Sequence, residues 1–368
     1  MLQTHETKIC MVGDALSGGG AERAHASLSK YFVSNGIEVH NVIVQDLVSY
    51  DFSGELLNMG KFKNTSNSLF NKFKRFYILR KYIKTHKFNY ILDFRMRRKP
   101  LQDILIDKFV YKAPVLYSVR SSFIDWYMPK QSWLTRLIYS KAYGIISINK
   151  KMKVYIEQRH GLKNVINIYN PVDLNYIHQR LKEEKEMLNY KYILAAGRMT
   201  ENIKQFDILI ASYAKSVLPL NNIKLVILGE GEDRRDMEKL SQSLGLQEHI
   251  IFKGFQENPY VYMRDAFFFA LTSKFEGTPN VLLESLACGT PVIAFDCFTG
   301  PSEIIENNVN GLLIEDQDVE KFTEGLNKMF SDQELCHSFK RNAAASVDKF
   351  SIEKIGSQWL DFLKIQNI

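Results

Sequence analysis

Glu276 and Glu284 are the residues whose type and spacing first suggest chemistry. They stand in the segment F-E-G-T-P-N-V-L-L-E-S-L-A-C-G-T-P-V-I-A-F, residues 275–295. Glu276 opens a loop, Glu276-Gly277-Thr278-Pro279-Asn280, and a short helix is expected over 281–288. Pro279 falls near its first turn, where a missing N–H costs nothing. Gly289 sits where such a helix stops, and 291–295 reads as a buried parallel strand. Free N–H groups and the positive end of the helix dipole converge there on one spot, which makes an anion site. The two carboxylates are too far apart for an i,i+4 pair. If both face a ligand, one can hold one polyol and the other a second. A sugar nucleotide has that layout of hydroxyls, diphosphate and ribose. The same residues would equally suit an ordinary α/β helix with two solvated glutamates.

Such a loop, helix and strand need an α/β scaffold, and the composition allows one. The chain has 368 residues, 45% apolar and 24% charged, which suits a soluble globular protein of two ordinary domains. No run reaches the roughly 18 uncharged apolar residues of a membrane span. The opening M-L-Q-T-H-E-T-K-I-C-M-V-G lacks a cleavable signal pattern. Cys10, Cys288, Cys297 and Cys336 show no metal-ligand spacing and read as buried small apolar residues in a reducing cytoplasm. The net charge of +7 is unevenly divided. Residues 1–185 hold 30 Lys and Arg against 15 Asp and Glu, and residues 186–368 hold 18 against 26. A basic half suggests an anionic partner: nucleic acid, an anionic membrane or a diphosphate-bearing lipid.

A strand over 8–13, a loop ending in Gly18, Gly19 and Gly20, and a helix over 21–35 make a Rossmann-like opening. It lacks the G-x-G-x-x-G pattern of dinucleotide binders, which argues against NAD. Lys61, Lys63, Lys72, Lys74, Arg75, Arg80, Lys81, Lys84 and Lys87 then interleave with Leu69, Phe70, Phe73, Phe76, Tyr77, Leu79, Tyr82 and Ile83. That spacing predicts a basic amphipathic helix with an aromatic face, either an ordinary surface helix or a contact with a membrane or lipid-linked acceptor. Arg95, Arg97 and Arg98 follow a strand over 90–94, where an open α/β sheet lines its ligand crevice. Arg120 ends a strand over 115–119, and its fixed charge suits a phosphate. A Lys- and Glu-rich stretch over 174–189 reads as a solvated linker helix. A second α/β unit begins with a strand over 192–196. Asp316-Gln317-Asp318 precedes a helix over 319–330 and reads as a cap, not a metal site.

Glu276 to Glu284 as E-x7-E before A-C-G-T-P-V-I-A resembles the signature of retaining glycosyltransferases of family 4. Other segments match the same family in order: Gly18-Gly19-Gly20-Ala21-Glu22-Arg23, Asn170-Pro171-Val172-Asp173, Gly197-Arg198 with Lys204-Gln205-Phe206-Asp207, and Gly229-Glu230-Gly231. The resemblance covers nearly the whole chain. It implies the GT-B fold: two Rossmann-like parallel-sheet domains facing each other across a cleft. Residues 1–170 would bind the acceptor, 171–190 form a crossover linker, and 191–350 bind the nucleotide sugar. A C-terminal helix within about 351–368 would pack back on the first domain.

The roles follow residue by residue. Glu276 would contact the transferred sugar, while Arg198 and Lys204 would neutralise the departing diphosphate. Gly18, Gly19, Gly20, Gly229, Gly254, Thr278, Pro279, Asn280, Val281 and Leu282 would contact the donor, and Glu284 its ribose. Arg95, Arg97, Arg98 and Arg120 are acceptor-side candidates. Many family members carry a histidine near Arg120; the segment Ser118-Val119-Arg120-Ser121-Ser122 instead resembles a variant of bacterial polysaccharide and glycan-assembly enzymes. Gly300-Pro301-Ser302-Glu303-Ile304-Ile305 resembles a variant in enzymes using UDP-N-acetylhexosamines, N-acetylgalactosamine among them.

The resemblance implies a metal-independent transferase that takes a UDP-sugar as substrate and needs no cofactor. Its acceptor would be a lipid-linked glycan or polysaccharide of a bacterial surface. The expected location is the cytoplasm, against an anionic inner membrane face, with no nucleic-acid partner. Two alternatives are a nucleotide-sugar epimerase on the same fold and a nucleic-acid-binding protein using the basic half. No helix-turn-helix, RRM or KH signature supports the latter.

Overall fold

The computed structural model describes residues 7–64, 68–183 and 188–365. Residues 184–187 of the expected linker, like 1–6 and 366–368 at the two ends, lie outside the described residues. The chain forms two compact units, Met1–Pro171 with Ile352–Ile368, and Val172–Ser351.

The first unit alternates strand and helix. Its elements are β1 (Lys8–Gly13), α1 (Gly20–Ser34), β2 (Glu38–Ile43), β3 (Glu55–Asn58), α2 (Leu69–His86), β4 (Tyr90–Asp93) and α3 (Pro100–Phe109). There follow β5 (Val115–Val119), α4 (Ser132–Tyr139), β6 (Gly144–Ser147), α5 (Lys150–His160) and β7 (Val165–Asn167). All seven strands are parallel, in the order β3-β2-β1-β4-β5-β6-β7. Strand side chains alternate between faces. Ile9 and Met11 join Leu28 and Phe32 of α1 on one face, while Cys10 and Val12 join residues of α2 to α5 on the other. Burial on both faces explains why these strands read as continuous apolar runs.

The second unit repeats the plan. It runs α6 (Leu174–Arg180), β8 (Tyr192–Ala196), α7 (Phe206–Lys215), β9 (Lys224–Leu228), α8 (Arg234–Ser243), β10 (Ile250–Gly254), α9 (Tyr260–Asp265) and β11 (Phe269–Leu271). It continues with α10 (Asn280–Ala287), β12 (Val292–Phe295), α11 (Pro301–Ile304), β13 (Gly311–Ile314), α12 (Val319–Ser331) and α13 (Gln333–Ser346). Its six strands, again parallel, are ordered β10-β9-β8-β11-β12-β13. The stretch expected as a solvated linker helix differs: α6 packs on α9 and α10, and Ile177 is buried. Asn258 Nδ2 also donates to Arg180 O at 2.8 Å.

The last helix, α14 (Ile352–Leu363), belongs to the first unit. Ile355, Trp359, Leu360 and Leu363 join the cluster on the α1 face, and Tyr90 Oη donates to Leu363 O at 2.7 Å. In each sheet the chain order reverses once, between β1 and β4 and between β8 and β11. Ligand crevices of open parallel sheets open at the carboxyl ends of strands beside such a reversal.

Candidate functional site

In the second unit, β8 and β11 are neighbours, so the loops after them emerge side by side at the reversal. The first loop carries Arg198 and Lys204, the second Glu276. Lys204 Nζ meets Glu276 Oε1 at 2.5 Å, with the two side chains only 20% and 10% exposed. The loops are also stitched through the backbone. Thr272 Oγ1 donates to the carbonyls of Lys204 and Gln205 at 3.0 and 2.9 Å, and Lys274 N donates to Ile203 O at 2.9 Å. Glu201, Asn202 and Gln205 hold left-handed φ of 55°, 45° and 47°. Such conformations cost of order 1–3 kcal/mol each in non-glycine residues and persist only where neighbours fix them. Arg198 is exposed, and with Thr200, Lys204 and Asp233 it lines a small depression.

Gly229 acts here as a point of close backbone approach, and Gly254 lies under the Glu230 side chain. Gly229 has φ 126°, and a Cβ on it would lie 2.0 Å from Gly197 O. The turn after β9 therefore lies directly on the loop of Arg198, and Met199 N donates to Glu230 O at 2.9 Å. Gly254, with φ 71°, accepts from Gly229 N at 2.8 Å.

Pro279 is the N-cap of α10, Asn280 and Val281 form its half-buried first turn, and Leu282 enters the core. Thr278 is half-buried in the loop before it, while Glu284, one turn along α10, is buried. Thr299, which the sequence reading left out, donates its hydroxyl to Glu276 O. Gly300, with φ 100°, passes so close that a Cβ would lie 2.7 Å from Pro279 Cδ. The loop after β12 thus braces the loop of Glu276. The sequence reading singled out Gly300-Pro301 in this loop but not Thr299, one residue before.

The first unit has a cluster of its own beside β1 and β4. Gly18 has φ 87°, Gly19 is the N-cap of α1 and Gly20 its first residue. A Cβ on Gly19 would lie 2.2 Å from Glu22 Oε2, so the carboxylate folds back over the glycine. Asp14 Oδ2 accepts from Met96 N at 2.8 Å and joins the two loops.

Of the arginines named as acceptor-side candidates, Arg95, Arg97 and Arg120 are internal. Arg95 donates to buried Asp93 through Nε at 3.0 Å and Nη2 at 2.6 Å. Arg97, 2% exposed, donates to Tyr139 Oη, to the carbonyls of Asp93, Arg95 and Ser118, and sits among three tyrosine rings. Burial alone would raise the Asp93 carboxyl, but Arg95 and Arg97 outweigh it and hold it below its ordinary value. Arg120 is buried too, donating to Ser118 Oγ at 3.1 Å and Asn170 Oδ1 at 2.6 Å, and burial lowers its pKa to about 10. Its Nε stays buried without a partner. Arg98 is exposed, over the Trp126 ring at 4.2 Å.

Comparison with known proteins gives this arrangement its family. Residues 178–346 match the family described as glycosyl transferases group 1. The chain is 30% identical over 360 residues to the Campylobacter jejuni N-acetylgalactosamine-N,N'-diacetylbacillosaminyl-diphospho-undecaprenol 4-alpha-N-acetylgalactosaminyltransferase, covering 95% of this chain and 97% of that relative. The chain belongs to the group 1 glycosyl transferases. This transferase is also 25% identical over 359 residues to the amylovoran biosynthesis glycosyltransferase AmsD of Erwinia amylovora, covering 97% of this chain and 99% of AmsD. Anabaena Alr3699/HepE in complex with UDP and glucose superposes with a TM-score of 0.79 at 18% identity, over 97% of this chain and 99% of that one. That likeness gives the two Rossmann-like units the GT-B class. The relatives identify a glycosyltransferase of bacterial glycan biosynthesis.

Removing a fixed donor from a developing negative charge typically costs about 10²–10³ in kcat. Lys204→Met is therefore expected to lower sugar transfer by roughly that factor, and Glu276→Gln, which weakens the hold on Lys204, to lower it as well, both with circular dichroism unchanged. Near-normal turnover in either variant removes that residue from the reaction.

Proposed function

We propose that this transferase moves an N-acetylhexosamine, with N-acetylgalactosamine the leading case, from its UDP-sugar to a lipid-linked or polysaccharide acceptor of a bacterial surface glycan. Transfer retains the anomeric configuration and uses no metal, as in family 4. The observation that carries this reading is the Lys204–Glu276 pair beside the start of α10, held by two stitched loops. Lys204 is placed to take up charge on the diphosphate as the bond from the anomeric carbon to the phosphate oxygen breaks. Arg198, on the same loop, supplies a second positive group, and the first-turn amides of α10 favour an anion. Glu276 holds Lys204 in place and offers its other oxygen to a sugar hydroxyl. The acceptor hydroxyl attacks on the face the diphosphate leaves, and its proton passes to that leaving oxygen. Catalysis is then positioning and charge neutralisation. The choice of sugar and acceptor is supported by the activity named for the Campylobacter relative, and the nucleotide by the UDP complex of the Anabaena protein.

The acceptor reading includes peripheral attachment to an anionic membrane. Among the described residues, no helix is long and apolar enough to cross one. On α2, Leu79 and Ile83 face the core, while Leu69, Phe70, Phe73 and Tyr77 point outward, Phe70 being 79% exposed. Phe76 and Tyr82 pack against the core, so the aromatic residues are divided between both sides of the helix. The same face of the sheet is covered by α3 and α4, which expose Leu101, Leu105 and Phe109, and Trp133 and Leu137. Exposed large apolar groups among lysines suit an interfacial surface on anionic lipid.

Ligand binding to the folded state raises Tm. UDP and UDP-N-acetylhexosamines are expected to raise Tm, by the same increment with and without EDTA. A preference for GDP overturns the donor, and loss of the increment in EDTA overturns the metal-free reaction. Wild-type protein is expected to float with vesicles containing anionic lipid, and a Phe70→Ser, Phe73→Ser variant to stay behind. Equal flotation on neutral vesicles, or none, removes the membrane face.

A further inference from the structure

Glu38, His40 and His86 lie together in the first unit, far along their strands and helix from the loops at the sheet's reversal. Residues i and i+2 of a strand share a face, and residues i and i+4 of a helix share a face. Glu38 and His40 of β2 therefore look the same way, and Tyr82 and His86 of α2's last turns meet them. One ligand atom from each of Glu38, His40 and His86 lies within 4.8 Å of the others. His40 Nε2 is 2.8 Å from Glu38 Oε1, its Nδ1 is 2.6 Å from Tyr82 Oη, and the His40 and His86 ring centroids are 4.5 Å apart. His40 is buried, and Phe88 closes the cluster with its ring 5.0 Å from that of His40.

We propose that these three residues form a binding site for a zinc-type divalent cation that clamps the end of α2 to β2. Two imidazoles and one carboxylate are the donor set of borderline metals, whereas calcium and magnesium prefer oxygen alone. The ion takes the place of the proton between Glu38 Oε1 and His40 Nε2. Nδ1 of His40 then donates to Tyr82 Oη, the outer hydrogen bond that orients a ligating histidine. Lys8 Nζ, 2.5 Å from Glu38 Oε2, stays on the other carboxylate oxygen. Water completes the coordination. Glu38 opens β2, and strand openings lie at the edge of a parallel sheet opposite its carboxyl ends, so the clamp is separate from the transfer reaction. Its effect is on α2, the helix with the outward aromatic residues.

The test is zinc uptake by the full chain after chelator stripping and dialysis, followed by calorimetric titration and Tm. Wild type is expected to bind one zinc ion per chain, with a rise in Tm that magnesium does not produce. His86→Ala and Glu38→Gln, both at partly exposed positions, are expected to bind at least tenfold more weakly. The exposed-histidine variant His337→Ala is expected to bind like wild type. Absence of saturable uptake, an equal response to magnesium, or undiminished binding by the folded His86→Ala and Glu38→Gln variants overturns the site.

Discussion

The ion pair of Lys204 and Glu276 sets the terms for the rest of the second unit. Two charges largely withdrawn from water are costly to hold unless each has its partner in place. Neither residue comes from a helix or strand; each rides on a loop, and a loop left to itself would not keep a 2.5 Å contact. The surrounding structure supplies what the loops lack. Thr272 ties one to the other, the glycines of the β9 turn let a third loop lie against the first, and Thr299 and Gly300 support the second. Three left-handed residues within 201–205 show that the lysine's loop is fixed by its neighbours. An anion arriving at the start of α10 would find the lysine already oriented. Preorganisation of this kind stabilises charge that develops during a reaction.

The first unit spends its charges differently. Much of the arginine excess near β4 is consumed inside the protein, where Asp93 gathers Arg95 and Arg97 under a canopy of tyrosines. A separate hydrogen bond, from Met96 N to Asp14 Oδ2, ties the loop after β4 to the loop after β1. Arg120, following the next strand, is held by Ser118 and Asn170. What faces outward is the lysine-rich side of α2 with its aromatic residues, joined by exposed apolar residues of α3 and α4. Basic composition thus serves two ends: an internal frame and an external surface.

The fold was legible because parallel strands buried on both faces leave continuous apolar runs such as 192–196 and 291–295, and because glycines punctuate their ends. The loops of Lys204 and Glu276 were legible through their spacing. Edge strand β3 was not, since only Asn58 of its four residues is buried and no alternation marks it. Helix α13 buries only Phe339 and Ala343, too few to print a stripe. The burial of Arg95 and Arg97 was not legible, because it depends on Asp93 and on tyrosines from β5 and α4, distant in sequence. Thr299 acts through its hydroxyl on a backbone carbonyl, a role no spacing announces.

The central claim is that this constellation transfers a sugar from a nucleotide diphosphate to an acceptor. It is tested most directly by incubating the full chain with UDP-N-acetylgalactosamine and an undecaprenyl-diphosphate-linked glycan, following UDP release and the new anomeric linkage. The account predicts UDP release only when acceptor is present, and a product with the α configuration of the donor. A β-linked product, or turnover of the donor in the absence of acceptor, would contradict it.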